Sequence, residues 1–228
     1  MFEEKRVVVT GGTGALGAAV VRSLLETGAE VTVPWLFEHE LASFPHADEV
    51  SLAQVDCQRE ESVARFYDDL GALWGSIQVV GGFSMAPIER TSAADFESMW
   101  RMNTLSCFLC CREAVKRIRA SGDDGGRIVN VSARPAVAPT GGMCAYATSK
   151  AGVASLTQAL AEEVKNDRIL VNAVLPSIMD TPANRKAMPD ASFDDWPKVE
   201  EVAASILHLA SPRNTLTSGA LVPVYGRA

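Results

Sequence analysis

The sequence predicts one α/β domain over residues 1–228, with a doubly wound, mostly parallel sheet. Short β-branched runs alternate with helix-length segments along the whole chain, and neither a linker nor an internal repeat interrupts them. The first of these runs ends in a glycine-rich turn that leads directly into a helical segment. Strands and helices that alternate in this way are typical of a parallel sheet covered by helices on both faces.

The individual elements can be assigned in chain order. The β-branched run 7–9 is followed by glycines and by a helix at 15–26, for which Gly28 is the C-terminal stop. A second strand at 31–33 is expected to end at Pro34, which has no N–H to donate to a sheet. We predict further strands at 50–55, 77–80, 127–131, 169–174 and 221–224, further helices at 60–74, 95–119, 145–165 and 199–210, and a turn at 122–126.

Charge and hydropathy argue against several classes of protein. The net charge is −7, whereas a protein that binds nucleic acid usually carries a basic patch. We expect no membrane span, because no run of about 18 apolar residues is present. The N-terminus also lacks the apolar stretch and cleavage site of a signal peptide. We therefore expect a cytoplasmic protein whose partner is a small molecule.

Three of the five cysteines lie close together in the helical segment 95–119. Cys107 and Cys111 are one turn apart, with Cys110 between them. A metal or redox site could be built from such a group, but free cysteine commonly packs as a small apolar side chain. We favour core packing and expect no metal site.

The turn Thr-Gly-Gly-Thr-Gly-Ala-Leu-Gly at 10–17 joins the first strand to the first helix. Glycines there permit positive φ, bring the backbone close to a pyrophosphate, and allow tight helix packing. The N-terminus of the helix then offers free N–H groups to the anion. In this position between strand and helix, the turn indicates a dinucleotide-binding fold of the Rossmann type.

The end of the second strand bears on which dinucleotide is bound. An acidic residue there usually holds the adenosine ribose, but the expected place is close to Trp35. Glu38 follows three residues later and could reach the ribose, although a solvated carboxylate explains it equally well. No Arg or Lys is available at this point to bind a 2′-phosphate. NAD(H) is therefore weakly favoured over NADP(H).

Tyr146 and Lys150 lie four residues apart on the helix predicted at 145–165 and so share a face. A nearby ammonium favours the phenolate, which predicts a lowered pKa for Tyr146. A tyrosine whose pKa approaches the working pH can act in acid–base catalysis. We therefore take the two as a candidate catalytic pair.

With these features in place, the chain resembles the short-chain dehydrogenase/reductase family over nearly its whole length. The matching elements are the 10–17 turn, Asp56, Asn103, Tyr146 with Lys150, and Pro176 with Thr181.

The resemblance implies a role for each matching position. Tyr146 would exchange a proton as hydride passes to or from nicotinamide, Lys150 would hold the nicotinamide ribose, and Asn103 would support a proton-relay water. The implied cofactor-binding residues are Gly11, Thr13, Gly14, Ala15, Leu16, Gly17, Asp56, Cys57, Gly81, Gly82, Tyr146, Lys150, Pro176, Ile178 and Thr181. The segment at about 177–197 would be the substrate loop.

The chain departs from the family pattern at several positions. Gly81 and Gly82 follow the fourth strand, where the family usually has Asn-Asn-Ala-Gly, and Ser177 follows the proline in place of glycine. The family's catalytic serine would fall thirteen residues before Tyr146, at Ala133. Ser132 is the candidate catalytic hydroxyl if the loop absorbs one residue. Otherwise Ala133 holds the serine place, which we favour; a serine-free site is similar to that of the dihydropteridine reductases.

These features predict an NAD(P)-dependent oxidoreductase that transfers hydride between nicotinamide and a small carbonyl, alcohol or pterin-like substrate. A non-catalytic dinucleotide sensor is the alternative, although a sensor needs no Tyr146, Lys150 and Asn103 together. A nucleotide-sugar epimerase would generally carry a larger C-terminal substrate domain. Apolar residues on more than one face of the helices at 95–119 and 145–165 predict a homodimer or homotetramer.

Overall fold

A computed structural model describes residues 1–122 and 124–228 of the chain. Within these residues seven strands form one parallel sheet in the order β3-β2-β1-β4-β5-β6-β7. The strands are β1 (Arg6–Thr10), β2 (Glu30–Trp35), β3 (Ser51–Gln54), β4 (Gly75–Gln78), β5 (Gly126–Val131), β6 (Ile169–Pro176) and β7 (Leu221–Val224). The predicted doubly wound α/β fold is confirmed.

Eight α-helices connect the described strands. They are α1 (Ala15–Glu26), α2 (Glu38–Ala42), α3 (Glu60–Asp68), α4 (Ala93–Trp100), α5 (Ser106–Ala120), α6 (Cys144–Glu163), α7 (Pro182–Ala187) and α8 (Val199–Ala210). A π-helical segment, Arg101–Leu105, joins α4 to α5. Short 3₁₀ turns lie at Ile88–Arg90, Arg134–Ala136, Lys165–Asp167 and Phe193–Asp195.

The helices cover both faces of the sheet. On one face, α1 and α8 bury Val20 and Ile206 against the strands. On the other, α3, α5 and α6 bury Phe66, Leu109 and Val153. Because both faces are covered, the central strands are apolar on both sides, which explains the continuous β-branched runs in the sequence.

The strand order reverses direction between β1 and β4, which are neighbours in the sheet. At such a point the connections leave to opposite faces and open a crevice beyond the carboxyl ends of the strands. The glycine-rich turn after β1 and the loop after β4 both start at this crevice. The fold therefore brings the two segments with unusual glycine content together.

Pro34 does not end the second strand, contrary to the sequence prediction. It pairs with Ala53 of β3, and the carbonyl of Trp35 accepts a hydrogen bond from the N–H of Val55. Since alternate residues face opposite neighbours, the nitrogen of Pro34 faces the β1 side, where pairing has already ended at Thr32. The missing N–H therefore costs the sheet no hydrogen bond.

Two helices differ from their predicted bounds by more than a shift of one or two residues at an end. The helix expected at 60–74 ends at Asp68, because Gly71 breaks it and Trp74 instead donates its backbone N–H to Arg6 at the start of the sheet. The helix expected at 95–119 begins at Ala93, after Ser92 caps it, and is interrupted by the π-helical segment. Of the turn predicted at 122–126, Asp123 lies outside the described residues.

In the part of the chain that the structure describes, no helix is both long enough and apolar enough to cross a bilayer.

Candidate active site

The turn after β1 depends on glycine at two positions. Gly11 has a φ of +66°, and a Cβ there would lie 2.8 Å from the backbone nitrogen of Val80. A Cβ on Gly17 would lie 2.0 Å from the carbonyl oxygen of Gly11. These contacts are with backbone atoms, which cannot move aside cheaply. The first turn of α1 therefore packs directly on the strand-to-helix turn.

The N-terminus of α1 is open to an anion. Gly14 is the N-cap residue and has no side chain to satisfy the first N–H groups, and a Cβ on it would meet only the carbonyl oxygen of Gly11, at 3.5 Å. Gly14 and Ala15 are exposed, Thr13 is half-buried, and Leu16 is buried in the core. The backbone, helix dipole and open space fit the pyrophosphate of a dinucleotide.

The carboxyl ends of β2 and β3 form the next part of the crevice. Trp35 is half-buried, and the carboxylate of Glu40 accepts hydrogen bonds from the N–H groups of Leu36 and Phe37, at 3.0 and 3.4 Å. Glu38, the acidic residue considered from the sequence, is exposed. Glu40 therefore places its carboxylate against the backbone that directly follows β2.

Asp56 follows β3 and shapes its own loop. Its carboxylate accepts the N–H of Gln58 at 2.9 Å, while its own N–H donates to the hydroxyl of Ser62. Asp56 remains half-buried, and Cys57 beside it is buried in the α3–α5 core. The two residues, both implied to bind the cofactor, thus differ in environment, because the Asp56 carboxylate is partly accessible and the Cys57 thiol is enclosed.

Tyr146 and Lys150 lie on consecutive turns of α6. Lys150 is 6% exposed, and its ammonium donates to the carbonyl of Val131 at the end of β5 over 2.9 Å. Burial lowers the pKa of Lys150 to about 8 and raises the pKa of Tyr146 to about 12. The expected lowering of the Tyr146 pKa by Lys150 is therefore wrong for this structure, because desolvation of the phenol outweighs any attraction from an ammonium directed at Val131.

Asn103 lies on the π-helical segment and joins the loop after β4 to α6. Its side-chain oxygen accepts the N–H of Gly82 at 3.0 Å, and its amide nitrogen donates to the carbonyl of Gly82 at 3.1 Å and to the hydroxyl of Ser149 at 3.0 Å. The next residue, Thr104, donates its hydroxyl to the backbone carbonyl of Ser149 at 2.7 Å. Two successive residues of the π-helical segment therefore hold the same residue of α6.

Gly81 and Gly82 allow the loop after β4 to approach these side chains. A Cβ on Gly81 would lie 2.6 Å from the side-chain oxygen of Asn103 and 3.0 Å from the Lys150 ammonium. A Cβ on Gly82 would lie 2.1 Å from the sulfur of Met102. Gly81 and Gly82, which replace the family's usual residues, thus allow the loop to lie close to the candidate catalytic residues Asn103 and Lys150.

Ser132 and Ala133 follow β5, and both are buried. The hydroxyl of Ser132 donates to the backbone carbonyl of Lys150 at 2.8 Å. Ala133 has an extended backbone, so its side chain and that of Ser132 point to opposite sides. The Ser132 hydroxyl is therefore hydrogen-bonded to the backbone of α6.

The residues after β6 begin the segment predicted as the substrate loop. Pro176 is the last residue of β6, Ile178 is exposed, and Thr181 caps α7 through a hydrogen bond from the N–H of Asn184. The hydroxyl of Ser177 donates to the carbonyl of Tyr225, which ties this segment to the chain after β7.

The five cysteines, all among the described residues, carry free thiols. The sulfurs of Cys107 and Cys111 are 3.9 Å apart, and Cys111 donates to the side chain of Asn130. Hydrogen bonds with neighbouring thiols, together with burial, raise the pKa of Cys110 and Cys111 well above the ordinary value. In residues 1–122 and 124–228 no group of three or more His, Cys, Asp or Glu side chains is placed to hold a metal ion. Cys107, Cys110 and Cys111 are buried core residues, whereas Cys144 is exposed.

Residues 5–192 match the family described as short chain dehydrogenase. The chain belongs to the short-chain dehydrogenases. Membership in this family makes it an NAD(P)-dependent oxidoreductase, and the open cradle at the N-terminus of α1 is consistent with such a cofactor.

Relatives match over nearly the whole chain. Cis-4-hydroxycyclohexanecarboxylate dehydrogenase of Sinomonas cyclohexanicum is 31% identical over 249 residues, which cover 99% of this chain and 96% of the relative. A short-chain dehydrogenase/reductase structure from Mycobacterium ulcerans superposes with a TM-score of 0.91 at 23% identity, covering 99% of this chain and 90% of that one. The NADP-bound structure of ElxO gives a TM-score of 0.89 at 24% identity, with 97% of each chain covered. At such identity the two structures show the shared fold.

The structure brings Lys150, Asn103, Gly81 and Gly82 together by direct contact and places Tyr146 one turn from Lys150. It places Pro176 at the end of β6, and Ile178 and Thr181 in the segment that follows, at the same edge of the sheet. Sequence reasoning missed Glu40, Thr104 and Ser149. The polar pair at 103–104 within an apolar helical stretch could have indicated Thr104. The contact of Glu40 with the backbone after β2 depends on the loop conformation, which hydrophobic periodicity does not predict.

Proposed function

We propose that this short-chain dehydrogenase transfers hydride between NAD(H) and a small carbonyl, alcohol or pterin-like substrate, with Tyr146 as the general acid or base. The observation that carries the proposal is the placement of Tyr146 and Lys150 beside a loop that Asn103 holds through Gly82. The relative from Sinomonas acts on a secondary alcohol of a small ring, which supports a small alcohol–carbonyl pair.

In the proposed mechanism the bound cofactor supplies or accepts the hydride at its nicotinamide ring. Tyr146 gives its phenolic proton to the carbonyl oxygen during reduction and takes it back during oxidation. Lys150 would hold the nicotinamide ribose, and its charge would stabilise the tyrosinate when the ammonium turns from Val131 toward the site. Asn103 holds the loop after β4 and helix α6 in fixed positions relative to each other, and a relay water near it would resupply the proton to Tyr146.

Ala133 favours a substrate that is already polarised. Ser132 directs its hydroxyl to the carbonyl of Lys150, and Ala133 has no hydroxyl to donate to a substrate oxygen. A site without that donor forgoes a hydrogen bond that is typically worth 10²–10³ in kcat. A quinonoid pterin or another electron-poor acceptor would react at such a site more readily than a simple ketone.

Glu40 supports the preference for NAD(H). Its carboxylate lies on the backbone N–H groups at the end of β2, where the adenosine ribose of a dinucleotide is held. A 2′-phosphate would meet this negative charge, whereas ribose hydroxyls could donate to it. We expect kcat/KM to favour NADH over NADPH, and Glu40→Gln to reduce the preference by about tenfold.

The experiment that tests the function is a screen of quinonoid dihydropterins, dicarbonyls, simple ketones and alcohols, followed by NAD(P)H absorbance. Turnover that Tyr146→Phe abolishes, with unchanged NADH affinity, supports the proposal. If NADH binds but no substrate in the panel reacts, the protein acts as a dinucleotide sensor and the proposal fails.

A further inference from the structure

Exposure alternates along the loop that follows β4. Gly81, Phe83 and Met85 are exposed, while the three residues between and after them are half-buried. This period of two is typical of an extended segment whose odd and even side chains face opposite directions. The odd-numbered residues therefore share one face of the loop.

That face lies along α6 and the residues just before it. The Cβ position of Gly81 is 3.0 Å from the Lys150 ammonium, and the Cβ position of Gly142 is 3.1 Å from the methyl carbon of Met85. Between them, the rings of Phe83 and Tyr146 are nearly perpendicular, with their centroids 4.9 Å apart. The ring of Phe83 therefore lies directly against the proposed proton donor, Tyr146.

Phe83 nevertheless leaves 60% of its surface open. Other exposed apolar side chains follow the neighbouring strands at the same edge of the sheet, with Val137 after β5 and Ile178 after β6. Exposed apolar side chains that cluster at one edge of the sheet are typical of a ligand-binding surface. It suits a substrate with an apolar body next to its reacting group.

We propose that Phe83 is a specificity-determining residue, whose ring forms the wall of the substrate site beside Tyr146 and selects substrates in which a flat ring carries or adjoins the reacting group. A flat ring can lie against the open part of Phe83 while its reacting oxygen or nitrogen reaches the Tyr146 hydroxyl. A flexible alkyl chain would gain less, because it must be ordered to make the same contact. This inference rests on the proposed function, which places the reacting group at Tyr146.

The first test compares 1-phenyl-1,2-propanedione with 2,3-hexanedione, two polarised dicarbonyls with and without a ring. Phe83→Ala should lower kcat/KM for the phenyl compound at least about tenfold and for the alkyl compound by less than about threefold. Phe83→Tyr, which keeps the ring, should retain activity toward both. Leu216→Ala removes another exposed apolar side chain, on the loop before β7, and should change neither. Equal losses for both substrates, or no loss for either, would overturn the proposal.

The second test needs neither cofactor nor substrate. Burial raises the pKa of Tyr146 to about 12, and removal of the Phe83 ring would expose the phenol to water. Tyrosinate absorbance, corrected with Tyr146→Phe, should show more ionised Tyr146 in Phe83→Ala than in the unmodified protein at about pH 10.5. An unchanged titration would contradict the contact. If no substrate reacts, the proposed function fails on the screen, while this titration decides the placement of Phe83 separately.

Discussion

The hydroxyl of Ser132 donates a hydrogen bond to the backbone carbonyl of Lys150 over a distance of 2.8 Å. Both groups are buried, so the bond joins the end of β5 to the helix that carries Tyr146. The Ser132 hydroxyl, which the sequence analysis kept as the alternative to a serine-free site at Ala133, is thus hydrogen-bonded to the backbone of α6.

We expect Ser132→Ala to lower stability by about 1 kcal/mol, through loss of a buried hydrogen bond, while kcat falls by less than about threefold. Denaturant unfolding and steady-state kinetics measure the two effects. Ala133→Ser is the matched variant, and it should raise kcat toward simple ketones if the serine place is competent. A loss of 10²–10³ in kcat for Ser132→Ala at constant cofactor affinity would make Ser132 catalytic.

Alanine substitutions at Gly17 and Gly14 should distinguish an effect on folding from an effect on cofactor binding. Gly17→Ala places a Cβ 2.0 Å from a backbone oxygen, so we expect a large loss of folded stability. Gly14→Ala meets only an ordinary contact at 3.5 Å and should fold normally, but its methyl would occupy the space proposed for the pyrophosphate and weaken NADH binding.

Thermal unfolding and NADH fluorescence titration distinguish these outcomes. Gly141→Ala is the control, because a Cβ there meets nothing within 4 Å. Normal folding of Gly17→Ala with full NADH affinity would refute the packing argument.

The buried Lys150 predicts how stability depends on pH. Its pKa in the folded protein is about 8, whereas an exposed lysine titrates near about 10.4. Between these values the unfolded chain holds a proton that the folded protein has released, so Lys150 makes stability rise with pH across this window.

Relative to Lys150→Met, the free energy of unfolding of the unmodified protein should therefore increase from about pH 8 to about pH 10, by up to about 3 kcal/mol. Urea unfolding at a series of pH values measures it. The exposed Lys186, replaced by Met, is the control. A difference that falls with pH, or stays flat, would contradict the buried position of Lys150.

Exposed aromatic rings predict self-association through α4, α5 and α6. Trp100 and Phe108 are 41% and 42% exposed, and the ring of Trp100 lies 3.1 Å from the Cβ position of Gly152 on α6. We expect a homodimer or homotetramer at micromolar concentration and partial dissociation of Phe108→Glu, because a charge in an apolar interface is costly. Sedimentation velocity measures this, with Leu216→Glu as the control. A monomeric unmodified protein would show that these helices pack only within their own subunit.

The sequence predicted the sheet and its helices well, because burial on both faces of a parallel sheet leaves strong β-branched runs such as Val7–Val9. It also predicted that Tyr146 and Lys150 lie on one helix, where the helical repeat places them on the same face. It could not reveal where the Lys150 ammonium points, since that depends on the carbonyl of Val131 from another strand.

Local patterns failed where a long-range contact decides the outcome. The sequence predicts a strand end at Pro34, but Pro34 remains in β2. Its nitrogen faces β1, which pairs with β2 only as far as Thr32. The sequence suggests that Glu40 is a surface residue of α2, but its carboxylate accepts a hydrogen bond from the backbone N–H of Leu36. The pairing of Pro34 and the hydrogen bonds of Glu40 both depend on the folded sheet or loop, so a short stretch of sequence could not predict them.

The π-helical segment limits how the chain can tolerate a change of length. A π-turn carries one residue more than a regular α-helix, and a residue turns the helix by about 100°. Deletion of one residue within 101–105 would give a more regular helix, but it would rotate Asn103 and Thr104 relative to α5 and detach them from Ser149. In this segment, therefore, a shorter chain would form the more regular helix and the poorer enzyme.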